Sequence, residues 1–70
     1  MPHFSPELIQ TMRAALDAAM THVPAHQATP GVKAYMAEFI LKTAAQGETS
    51  FDGLFSAAIG QIQAVLSMFS

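Results

Sequence analysis

Apolar residues along this chain return at steps of three and four, with polar residues between them, and no stretch alternates as a half-buried strand would. That period is the helical one. Leu8, Met12, Ala15, Leu16, Ala19, Met20 and Val23 form a first stripe, with Gln10, Arg13, Asp17 and Thr21 away from it. Ser5 is a suitable N-cap, Pro6 fits the first helical position, and Glu7 suits the positive end of the helix dipole. Phe4 and Ile9 have the spacing of a hydrophobic staple. Pro24 disfavours helical geometry at Val23 and stops the run, so the first helix is expected over residues 6–22. Residues 23–29 read as a loop.

A second start follows, with Thr29 as cap and Pro30 at the first position. Val32, Met36, Phe39, Ile40 and Thr43 form its inward stripe, with Tyr35 on the edge. Glu38 and Lys42 are an i,i+4 pair in the favourable order. Leu41 falls outside the stripe, beside Ala34, Ala37 and Ala45 on the side expected to face water. Gly47 suits a left-handed C-terminal turn, which puts the second helix at residues 30–46.

The link to the third helix is short, as between antiparallel neighbours. Ser50 is the expected cap, with Thr49 to Asp52 an alternative capping box. Phe51, Phe55, Ala58, Ile62, Val65 and Phe69 make the third stripe, flanked by Leu54, Ile59 and Leu66, over residues 51–69. The back of this helix carries Gly53, Ala57, Gly60, Ala64 and Ser67. Two glycines within a helix cost about 1 kcal/mol each relative to alanine, and close helix approach is one compensation. The expected fold is all-α: a single domain over residues 1–70, an up-down-up three-helix bundle. An intertwined dimer of helical hairpins would use the same pattern.

Charge changes this picture most. Only 11% of the residues are Asp, Glu, Lys or Arg, against roughly 25% in typical soluble proteins. Apolar content is ordinary at 51%, so the surface is covered with small neutral groups, which suits burial against a partner. A 70-residue chain buries only about 60% of its unfolded surface, and oligomerisation is one usual source of added stability. Disulfides and thiolate metal sites are excluded, because there is no cysteine. Net charge is −2 with three Lys and Arg, too few cations to neutralise phosphates, so no nucleic-acid partner is expected.

The start of the chain lacks the basic and apolar regions of a secretory signal. Residues 53–70 carry no charge, a length able to span a bilayer. Gln61, Gln63, Ser56, Ser67 and Gly60 argue against a membrane anchor, and a cytoplasmic location is expected.

Candidate chemistry is sparse. His22 and His26 have the spacing of two ligands on one helical turn, but Pro24 lies between them and no acid accompanies them. His3 stands near the start of the chain. No metal or cofactor is expected. The nucleophile-elbow pattern and a glycine-rich phosphate loop are both absent, and the acids fall at helix starts or solvent faces; no catalytic residue is assigned. Five Met and five Phe suit an adaptable groove for an apolar ligand, though most of them fall on inward stripes.

The segments Arg13-Ala14-Ala15-Leu16-Asp17-Ala18-Ala19 and Ile40-Leu41-Lys42-Thr43-Ala44-Ala45-Gln46-Gly47-Glu48 resemble a group of small, uncharacterised helical proteins of proteobacteria. Those carry an R-x-x-L-D-x-A segment followed by I-L-K-x-A-A-x-G-E. The resemblance implies a short helical bacterial protein and brings no active residue with it. Similar sequences often continue with an Asp-Pro helix start, where this chain has Ser50-Phe51, and its third helix departs further.

The pattern thus points to a non-enzymatic interaction module, a homo-oligomer or the binder of a protein partner. The expected contact residues are Leu41, Gly53, Ala57, Gly60 and Ala64. The alternative is a small carrier or sensor holding an apolar ligand between its helices; a third reading is a membrane-surface or tail-anchored peptide.

Overall fold

Three side-chain caps and one glycine turn set the limits of the helices. In a computed structural model, residues 4–69 are described, the side chain of Phe69 excepted. His3 and the inward position expected for Phe69 therefore lie outside the described side chains. Helix α1 runs Pro6–Met20, α2 Pro30–Ala45 and α3 Phe51–Phe69. The Ser5 hydroxyl accepts from the Leu8 N–H at 3.1 Å, and the Thr29 hydroxyl accepts from the Val32 N–H at 3.2 Å. Each satisfies one of the donors that a helix start leaves without an intrahelical partner.

Helix α1 ends two residues before the expected limit. Thr21, His22 and Val23 donate to the carbonyls of Ala18, Ala19 and Met20, a tightened i to i−3 turn. Pro24 cannot donate and holds Val23 off the α region, so the chain closes with the shorter bonds. Val23 still reaches the core at 6% exposure. Residues 23–29, expected as plain loop, contain a 3₁₀ turn at Ala25–Gln27. The Gln27 N–H closes it on the Pro24 carbonyl at 2.8 Å.

Gly47 ends α2 at φ +110°. Its N–H donates to the Ala44 carbonyl and the Glu48 N–H to the Thr43 carbonyl, the paired bonds of a Schellman motif. The chain then enters α3 after only a few residues.

All three helices pack on one another around one apolar core, to which α1 gives three of the described residues, the turn after it Val23, and α2 and α3 four each. These are Met12, Ala15, Ala19 and Val23; Val32, Met36, Ile40 and Ala44; Leu54, Ala58, Ile62 and Val65. The architecture is the expected all-α three-helix bundle, closed within one chain. Ala44 completes the i,i+4 row of α2, which the sequence pattern had stopped at Thr43.

Helix α3 keeps Ala58, Ile62 and Val65 of the expected stripe in the core and departs from that stripe at its start. Leu54 is fully buried, while Phe51, expected on the inward stripe, is 40% exposed. Phe51 is the first residue of the helix and stacks on Phe55, ring centroids 5.7 Å apart and planes 6° from parallel. His22 packs against the other part of this cluster, 5.6 Å from the Phe55 ring at 58°. The large rings thus cover the edge of the core, and the row through Leu54, Ala58, Ile62 and Val65 fills it. The stretch after α1 lies along α3: His22 meets Phe55 near its start, and His26 and Gln27 share a hollow with Leu66 near its end.

Candidate functional site: an apolar groove between two helices

Two places in the molecule hold the residues expected to form a contact. Leu41 is 44% exposed and forms one wall of a groove of about 330 Å³. The opposite wall comes from α1 and the residue before its cap: Phe4, Ile9, Met12, Arg13 and Leu16. Ala37 and Ile40 join Leu41 on the α2 side. Phe4 and Ile9, the staple pair, both belong to this lining. Ile9 matches Leu41 in exposure at 44%, and Arg13 is the one charged residue in the lining.

The other four expected residues stand on α3, and no α3 residue lines the groove. Leu41 therefore does not share the groove with them. Gly53 has a use inside the chain. The Glu48 carboxylate occupies the space where a Gly53 side chain would begin. There Glu48 Oε1 accepts from the Ser50 N–H at 3.2 Å and from the Ser50 hydroxyl at 2.9 Å. The Ser50 oxygen in turn accepts from the Gly53 N–H at 3.0 Å, which selects Ser50 over Thr49 as the cap. These bonds favour the charged form, so the Glu48 carboxyl is held below its ordinary value, first by the Ser50 backbone N–H and then by the Ser50 hydroxyl.

Gly60 has no such answer. Nothing lies within 4 Å of where its side chain would start, and Gly60 and Ala64 are exposed while Ala57 is half-buried. Sequence reasoning assigned one role to both glycines; the structure separates them. It also adds Ile9 and Arg13 beside Leu41. An isoleucine outside the core row, one turn from an arginine, was the available signal.

The remaining candidate chemistry disperses. His22 rests on Phe55, and His26 lines a separate hollow of about 100 Å³ with Gln27, Thr29, Val32 and Leu66. Among the described residues there is no group of three or more His, Asp or Glu able to hold a metal ion, and no helix is long and apolar enough to cross a membrane. The single ion pair given by the described residues is Lys42 with Glu38 at 3.8 Å, both well exposed, a geometry worth little to stability. No protein-family model, curated protein or solved structure matches this chain.

Proposed function

We propose that this chain is a non-enzymatic interaction module of the bacterial cytoplasm that self-associates, and that the groove between α1 and α2 is its contact surface. The observation that carries this reading is the pairing of Ile9 and Leu41, each 44% exposed, across an apolar lining that contains one charge. Isolated exposed apolar residues are ordinary on any protein. Two large ones facing each other across a groove whose floor is core side chains form a contiguous patch, which is the arrangement that marks an interaction site. A contact there removes apolar surface from water at about 25 cal/mol per Å². It also supplements a core limited by chain length.

The test is light scattering on the wild type, Leu41→Glu and Gly60→Glu, with circular dichroism to check that all three stay helical. Leu41→Glu places a charge on the groove wall and is expected to leave monomers where the wild type is dimeric. Gly60→Glu, on the back of α3, is expected to associate as the wild type does. The opposite pattern would transfer the contact to the Gly53, Ala57, Gly60 and Ala64 face.

The groove volume favours a second reading, in which the chain carries an apolar molecule between its helices. Small-molecule sites begin at about 300 Å³. Native mass spectrometry separates the two: a stoichiometric apolar ligand on a monomer would support the carrier.

A further inference from the structure

We infer that two copies of this chain meet with α1 packed antiparallel on the α1 of the second copy, about a two-fold axis at the level of Ala15, so that Arg13 of each copy faces Asp17 of the other. The inference rests on the self-association proposed above and specifies its symmetry and its charges.

Arg13 lines the groove and Asp17 lies one turn further along α1; both are exposed. At 100° per residue they stand 40° apart, on one side of the helix. Neither is in an ion pair among the described residues. Arg before Asp at i,i+4 is the less favourable order for a pair within one helix, the reverse of Glu38 and Lys42. Between two copies the same spacing becomes an advantage. Antiparallel helices crossing at Ala15 bring residue 13 opposite residue 17 on both sides of the axis, so one helix supplies two identical, complementary pairs. A two-fold interface must be self-complementary in this way.

Ile9, Leu16 and Met20 lie on the same side of α1 as Arg13, so the crossing covers them alongside the charge pairs. Leu41, across the groove, lies under the edge of the second copy. The molecule measures 33 × 20 × 19 Å, so a whole long side projects roughly 660 Å², against about 800 Å² of accessible surface taken from each partner in a standard interface; the contact is therefore a small one that uses most of that side.

The experiment uses two full-length variants, Arg13→Glu and Asp17→Arg, followed by sedimentation velocity alone and in equimolar mixture. Each variant alone sets like charges against each other at both pairs, and its dimerisation is expected to weaken about tenfold or more. In the mixture every pair is opposite in charge, so dimers should return near the wild-type level. The double variant Arg13→Glu/Asp17→Arg should also recover on its own, which keeps the test open if one single variant folds poorly. A dimeric wild type whose single variants dimerise equally well would overturn this geometry and leave self-association standing. Variants that stay monomeric when mixed would overturn it too. A monomeric wild type, with or without a bound apolar molecule, would remove both the geometry and the reading beneath it.

Discussion

The start of α3 and the groove side of α1 each carry residues that look misplaced, and the chain answers only the first. At the start of α3, a glycine in a helix, a carboxylate before a cap and a serine satisfy one another: Glu48 fills the space at Gly53 and binds Ser50, which binds Gly53. On the groove side, Ile9 and Leu41 remain in water and Arg13 and Asp17 lack ion-pair partners among the described residues. An unusual residue argues for a partner molecule only after the chain's own use for it has been found or excluded. Gly53 loses its place in that argument, and Leu41 keeps it.

The sharpest break between a residue used inside the chain and one left at its surface lies within α3. Leu54→Ala empties a fully buried site and is expected to cost about 2–5 kcal/mol. That is a large part of the roughly 4–10 kcal/mol that a domain of this size holds. Phe51→Ala, two-fifths exposed and held by one ring stack, should cost about 1 kcal/mol or less, the scale of an aromatic pair. Chemical denaturation of the two variants measures both. Equal costs would return Phe51 to the core.

A smaller effect separates the two glycines. Gly60→Ala meets no neighbour within 4 Å and should stabilise the chain by about 0.8–1 kcal/mol through helix propensity alone. Gly53→Ala has the same intrinsic gain, but its methyl group displaces the Glu48 carboxylate from Ser50, so its net gain should be clearly smaller. Thermal unfolding of both distinguishes them. Equal gains would mean that the Glu48 contact contributes nothing.

The smallest effect is a pH dependence from the same cap. The folded Glu48 carboxyl titrates below its unfolded value, so the stability it contributes is fully present above the unfolded value. It is lost as pH falls through the lowered folded value. The gap in Tm between wild type and Glu48→Gln should therefore be widest near neutrality and narrow on acidification. A gap constant across that window would show that the carboxylate charge is not what binds Ser50.

Most of the fold was legible because its signals are local. Ser5, Thr29 and Ser50 cap the helices expected of them and Gly47 takes the positive φ its position called for. The inward row at the start of α3 was not legible for a reason that can be named, although Ala58, Ile62 and Val65 further along are buried as their spacing predicts. Its apolar residues occupy two adjacent rows, one through Phe51 and Phe55 and one through Leu54 and Ala58, and period alone does not rank two neighbouring rows. The cap at Ser50 places Phe51 at the helix end, where a ring stacks on its neighbour, and Leu54 inherits the core. Of the expected contact residues, Leu41 was visible as an outlier from its row. Its partner across the groove, Ile9, shows in the sequence only as half of a staple, because a contact between α1 and α2 cannot be seen in either helix alone. Glu48 gives no such sign, since a carboxylate two residues before a serine cap has no strong local signature.

Sedimentation equilibrium of the unmodified chain, from low to high micromolar concentration, bears most directly on the claim that the groove side of this molecule is completed by a second copy. The mass should rise from 7.5 kDa for one chain towards about twice that value and stop there, as a closed two-fold contact requires. A mass that stays at one chain throughout the range would contradict the claim.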